Sequence, residues 1–142
     1  MRIANLVTSG EFWRRISEHL TEGSERRGGA KIETYYVGLI GLPGRSQLSL
    51  TMTDLIHVNA GIRACDDGCD AVFVNAVPDY GLPLLRATLP VPVIGAGEAS
   101  MLTARSLGER FSIVTVWPES YAPLYDRLLA QTGMTAYCAS VV

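Results

Sequence analysis

The sequence predicts an α/β protein, a parallel sheet flanked by helices. Two patterns point to it. Short β-branched apolar runs alternate with segments of helical periodicity along the whole chain. Some of those runs lack a polar alternate, as in Asp70-Ala71-Val72-Phe73-Val74-Asn75, the signature of a strand covered on both faces. A third observation sets the scale. The 142 residues, 48% of them hydrophobic, suffice for one ordinary core but not for two complete ones.

The elements follow in order. Ile3 to Val7 opens the chain as a buried strand. Thr8-Ser9-Gly10 breaks it and offers a helix N-cap. Phe12, Ile16 and Leu20 recur at helical spacing and predict a helix over about residues 10–22, with Gly23 to Gly29 as a loop. Ile32 to Ile40, with Tyr35, Tyr36 and Val37, is the second strand, and Gly41 to Ser46 is a turn-rich loop. A long helix covers about Thr51 to Asp66, with Leu55, Val58, Ile62 and Cys65 on one face.

Asp70 to Asn75 is the third strand. Val77 to Gly81 is a turn, in which Asp79 is placed to cap a helix from Leu82 to Thr88. Pro90 and Pro92 stop that helix. Val91 to Ile94 is the fourth strand, and a helix runs from about Glu98 to Leu107 before Gly108. Phe111 to Val116 is the fifth strand. Tyr121, Leu124, Leu128 and Leu129 mark a helix ended by Gly133, and Met134 to Ser140 reads as a sixth strand.

Composition excludes several functions. The net charge is -2, and the longest basic clusters are the pairs Arg14-Arg15 and Arg26-Arg27, so no nucleic-acid partner is expected. No apolar run approaches the roughly 20 residues of a membrane helix, and no membrane partner is expected. The first residues lack the pattern of a signal peptide, so a soluble, cytoplasmic protein is expected.

Three cysteines, an odd number, argue against a disulfide framework. Cys65 and Cys69 have the spacing to share a helix face. With only His19 and His57 besides, no metal motif is present. No cofactor is expected either. There is no Walker sequence, and Gly95-Ala96-Gly97 departs from the dinucleotide fingerprint, which Ser100 breaks at its third glycine. Neither histidine follows a strand, which disfavours a Ser-His-Asp arrangement.

In parallel sheets, ligands sit beyond the carboxyl ends of the strands. That directs attention to Thr8-Ser9, Gly41 to Ser46, Asn75 to Gly81, Gly95 to Glu98, and Thr115. Thr8, Ser9, Asn75 and Thr115 bring hydroxyl or amide groups, and helix starts after Thr8, Pro78 and Gly97 bring N–H groups suited to a carboxylate. Asp79 and Glu98 are the acids of this rim. Capping and dipole compensation are the competing readings for both.

The stretch from Asp70 to Leu82, with Asn75-Ala76-Val77-Pro78-Asp79-Tyr80-Gly81 at its centre, resembles the signature of the aspartate/glutamate/hydantoin racemase superfamily. Pro92-Val93-Ile94-Gly95-Ala96-Gly97-Glu98-Ala99 and Gly108-Glu109-Arg110-Phe111-Ser112-Ile113-Val114-Thr115 follow in the expected order. The hydantoin racemase branch resembles it most, and Cys138-Ala139-Ser140-Val141 is similar to a later block of that branch. The resemblance implies a flavodoxin-like sheet, with one complete domain of the family's type over residues 1–108. Residues 109–142 are then an incomplete β-α-β start of a second. With an incomplete second unit, three outcomes are expected: the piece packs on the first sheet, another chain completes it in a homo-oligomer, or the sequence is a fragment of a longer protein, the reading favoured here.

The implied chemistry is cofactor-independent proton exchange at a carbon beside a carbonyl or carboxylate, between two cysteines on opposite faces of the substrate. The first of those positions, three before Asp79, is Ala76 here, and the second lies past Val142. Family substrate-binding positions correspond to Thr8, Ser9, Asn75, Val77, Asp79, Glu98 and Thr115. The ligand expected is a small carboxylate or a hydantoin-like ring. Three outcomes stay open: a racemase of amino acids or hydantoins, a non-catalytic binding protein on the same fold, or a decarboxylase or isomerase with Asp79 or Glu98 as base.

Overall fold

A computed structural model describes residues 1–8, 10–38 and 46–142, with the backbone alone at residues 12 and 13. The element order is β1 (Arg2–Thr8), α1 (Glu11–Arg26), β2 (Lys31–Val37), α2 (Gln47–Asp66), β3 (Ala71–Val74), α3 (Leu82–Thr88), β4 (Val93–Gly95), α4 (Ala96–Leu107), β5 (Phe111–Ile113), α5 (Ala122–Thr132) and β6 (Cys138–Val141). Short 3-10 turns precede α5 and β6.

Four strands form one parallel sheet in the order β2-β1-β3-β4. The chain leaves β1 toward one edge and returns at β3 toward the other, so the order reverses between them. That reversal opens a crevice at the carboxyl ends of β1 and β3. β5 and β6 form a separate two-stranded parallel sheet.

Helices cover both faces of the larger sheet. Ala4, Leu6, Val72, Val74 and Val93 pack with Ala60 and Ala64 of α2 and Leu82 and Leu85 of α3. Asn5, between Ala4 and Leu6, reaches the other way and donates to Ser17 Oγ of α1 at 3.3 Å. A second cluster joins Met101 of α4 to Leu128 and Leu129 of α5 and to Met134.

Several boundaries differ from the sequence reading. α1 runs through Gly23 to Arg26 instead of ending near residue 22, because Gly23 lies in open space and the break is made by Gly28, at φ +63°. Leu20 of this helix is exposed and Ser17 is buried, so Phe12-Ile16-Leu20 is not the buried stripe as a whole. The cap of α1 is Gly10, within the Thr8-Ser9-Gly10 break, and it makes no side-chain hydrogen bond. α2 begins at Gln47, four residues early, because Ser46 and Ser49 exchange side-chain and backbone bonds in a capping box.

The expected face of α2 is also wrong. Leu55 is 55% exposed and Ile62 38%, while Thr53, His57, Ala60, Gly61 and Ala64 are buried. Cys69 lies beyond the end of α2, so it shares no helix face with Cys65. β2 ends at Val37, β3 and β4 are shorter or shifted, and β6 starts only at Cys138 because residues 135–137 make a 3-10 turn. Regular strand at β5 stops at Ile113, although Thr115 N still donates to Val142 O at 2.7 Å.

Candidate functional site

The crevice at the strand-order reversal holds a cavity of about 550 Å³. Thr8 enters it from the end of β1, and Asn75, Ala76, Val77 and Pro78 from the turn after β3. α4 contributes Gly97, Ser100, Met101 and Ala104. The opposite wall comes from β5 and the segment after it, residues 111–117, and from Tyr121, Leu124 and Tyr125. Both sheets therefore supply walls. None of the described lining residues carries an Asp, Glu, Lys, Arg or His side chain.

Of the expected rim residues, Thr8, Asn75, Val77 and Thr115 come together on this cavity with Ala76. Ser9 and the loop residues Gly41 to Arg45 lie outside the described residues. Asp79 and Glu98 do not line the cavity. They stand behind it and hold its walls.

Asp79 is 1% exposed and has positive φ, 49°. Its carboxylate accepts from Gly97 N at 2.9 Å and from Glu98 N at 2.7 Å. It caps α4, across the turn, and not α3 as the sequence suggested. The N–H groups after Gly97, expected to bind a ligand carboxylate, are thus already taken by a carboxylate of the protein. Burial, opposed by these two bonds, pushes the Asp79 carboxyl up to about 6.

The approach is close enough to require glycine. A Cβ on Gly95 would meet the Asp79 carboxylate at 2.5 Å, and one on Gly97 would meet Val77 O at 2.1 Å. α3 is capped differently. Gly81, at φ +68°, starts it, and Gly81 N donates to Asp54 Oδ1 of α2 at 2.8 Å.

Glu98 makes a two-pronged pair with Arg86 of α3, whose Nε also donates to Val93 O at 3.1 Å. The Arg86 hydrogen bond holds the Glu98 carboxyl below its ordinary value. Glu98 thereby ties α4 to α3. Thr115 is also engaged. Its hydroxyl shares a 2.6 Å hydrogen bond with Tyr125 OH and accepts from Trp117 N.

The aromatic part of the wall was not foreseen. Tyr80 and Tyr121 pack with Leu50 and Leu124, and Ala76 rests against that cluster. Burial pushes the Tyr80 phenol up to about 12, so it stays protonated at neutral pH. Tyr121 and Tyr125 at i, i+4 were the available signal; Tyr121 was read as part of a helix stripe and Tyr125 was not singled out. Asp54 was missed as well. It accepts from Gly81 N and pairs with Arg127 of α5 at 2.9 and 3.0 Å, joining three helices.

Among the described residues no cluster of three His, Cys, Asp or Glu is placed to hold a metal ion, and no helix is long and apolar enough to cross a membrane. All three cysteines are free.

A parallel sheet with a rim crevice walled from a second sheet defines a racemase- or isomerase-type α/β fold. The chain belongs to the Asp/Glu/Hydantoin racemase family, whose model matches residues 17–142. It is similar to a hydantoin racemase of Pseudomonas sp. (strain NS671), 32% identical over 111 residues, which are 78% of this chain and 39% of that protein. It is similar also to a hydantoin racemase of Rhizobium meliloti, 32% identical over 74 residues, 52% of this chain and 30% of that protein.

Among solved structures, an allantoin racemase from Pseudomonas fluorescens matches with a TM-score of 0.72 at 28% identity, over 99% of this chain and 59% of that one. An allantoin racemase from Klebsiella pneumoniae, with a TM-score of 0.77, shares 24% identity over 99% of this chain and 57% of that one, and so shows the fold. The chain therefore spans well under two thirds of the length of the relatives it matches.

Proposed function

We propose that this chain carries the ligand-binding part of a racemase-type site, that it takes a small neutral ring of the hydantoin kind, and that it exchanges no proton from the Ala76 position. One observation carries this reading: the cavity wall is mostly apolar and, among the described residues, uncharged, and Ala76 stands on it where the family resemblance expects a thiol. Alanine has no ionisable group, so that position offers neither base nor acid.

The absence of charge favours a neutral ring over a carboxylate, the two ligand classes the sequence left open. Burying a carboxylate without a cation or free N–H donors costs more than binding recovers. The described wall supplies no cation, and the start of α4 is spent on Asp79. A neutral ring with amide groups loses less on leaving water and can be matched by amide and hydroxyl partners. The names of the relatives, hydantoin and allantoin racemases, support the same class. Asp79 and Glu98 are committed to Gly97, Glu98 N–H and Arg86, which disfavours either as a base. The separate β5-β6 sheet supports reading residues 109–142 as the start of a second unit.

Isothermal titration at neutral pH tests the proposal, with 5-benzylhydantoin against aspartate, glutamate and maleate. Saturable binding of the hydantoin, with none of the dicarboxylates, is expected. Dicarboxylates binding as tightly as the hydantoin would overturn it.

A further inference from the structure

Exposed apolar side chains stand together where the second sheet walls the cavity. Val114, Val116 and Trp117 line it, both valines are exposed, and Trp117 is 52% exposed. A lone exposed valine is ordinary, whereas two valines and a tryptophan on one wall form a patch that a ligand can cover.

Trp117 is held from two sides. Its backbone N–H donates to Thr115 Oγ1 at 3.1 Å. Its ring lies against Tyr121, with centroids 5.0 Å apart and planes tilted by 30°. Tyr121 packs in the cluster on which Ala76 rests. The wall therefore runs from Ala76 through Tyr121 to Trp117.

The hydroxyls on this side are already engaged. Ser100 Oγ donates to Ala96 O at 2.6 Å, Ser112 Oγ accepts from Ser140 at 3.0 Å, and Thr115 is bonded to Tyr125 and Trp117. A substituent carrying amide groups would leave water here without new partners, a cost that an apolar one does not meet. The cavity, about 550 Å³, also lies within the roughly 300–1,000 Å³ of sites that take drug-sized ligands, so it has room beyond a five-membered ring.

We propose that Trp117 is a specificity-determining residue of this cavity, its indole the platform for an apolar substituent at C5 of the bound ring. This rests on the hydantoin reading above. The thiol position is the one that faces the exchanging carbon, so a ring bound in that way sets C5 toward Ala76 and its substituent along Tyr121 to Trp117. A polar substituent, such as the ureido group of allantoin, is disfavoured on the same wall.

The test titrates wild type, Trp117→Ala and Trp117→Phe with 5-benzylhydantoin, 5-methylhydantoin and allantoin. Wild type is expected to bind the benzyl ring about tenfold tighter than the other two. Trp117→Ala is expected to lose that preference with the weaker two changed less than twofold, and Trp117→Phe to keep most of it. Nuclear Overhauser contacts between the ligand phenyl and the Trp117 indole, expected in wild type, need no variant to fold.

Allantoin binding as tightly as 5-benzylhydantoin, bound 5-benzylhydantoin without those contacts, or equal losses for all three rings in Trp117→Ala would each overturn the assignment and leave the hydantoin reading intact. So would a wild-type dimer that Trp117→Ala dissociates, which makes the patch a surface between copies. Wild type that binds none of the rings would overturn both.

Discussion

At the scale of single residues, Asp79 decides most. Its two oxygens take the N–H groups of Gly97 and Glu98 in the first turn of α4, so the carboxylate fixes where the cavity wall begins. Asp79→Asn keeps the size but turns an N–H₂ toward one of those donors. A loss of about 1–3 kcal/mol in denaturant unfolding is expected at neutral pH. The pH dependence has a definite sign. Burial raises the folded carboxyl to about 6, above its value in the unfolded chain, so the folded state holds the proton more tightly. The resulting stability is present below roughly pH 4 and is lost as pH rises through about 6. Urea melts at pH 7 and about pH 4 should show wild type gaining on Asp79→Asn upon acidification. An unchanged difference would assign Asp79 an ordinary carboxyl. The identity of this residue was legible in the sequence as a cap, but not the helix it caps. A cap read locally goes to the next helix in the chain, and Asp79 instead reaches across the turn, because Gly95 and Gly97 lack the Cβ that would block it.

At the scale of elements, Asp54 couples three helices. It accepts from Gly81 N at the start of α3 and pairs with Arg127 on α5, with both side chains mostly buried. Asp54→Ala leaves the guanidinium without its partner and the α3 start without its acceptor. A destabilisation of about 3 kcal/mol is expected by chemical denaturation, against a smaller one for Arg127→Met, which removes the charge and keeps the apolar stem. Equal costs would argue that the pair is screened and carries little. This coupling explains which part of α2 could be read and which could not. The end at Asp66 was read correctly, whereas the start was placed four residues late and the buried face was assigned to Leu55 and Ile62 on hydrophobicity alone. The helix turns Thr53, His57 and Gly61 inward instead. Thr53 and His57 are tolerable there because Thr53 Oγ1 bonds Ser49 O and His57 Nδ1 bonds Thr53 O. Gly61 is tolerable because Leu85 fills its space, a Cβ there lying 2.4 Å from Leu85 Cδ2. α3 was read correctly to the residue, since Gly81 and the prolines after it punctuate both ends.

At the scale of the whole molecule, the fold and the rim were legible because parallel α/β topology has few solutions. Thr8, Asn75 and Val77, at the ends of neighbouring strands of one sheet, could be placed together without knowing any distance. The aromatic wall was not legible, because it depends on how the segment carrying β5 and α5 packs across the crevice, and no local pattern encodes that. The central claim is that a site of racemase type binds a neutral ring here and moves no proton from the Ala76 side. The most direct measurement follows loss of the C5 proton signal of L-5-benzylhydantoin by NMR in D2O, with and without the protein. The account predicts saturable perturbation of the ligand signals and an exchange rate equal to that of the protein-free solution. Catalysed exchange by the wild-type chain, at ordinary enzyme rates of about 1 per second or faster, would contradict it.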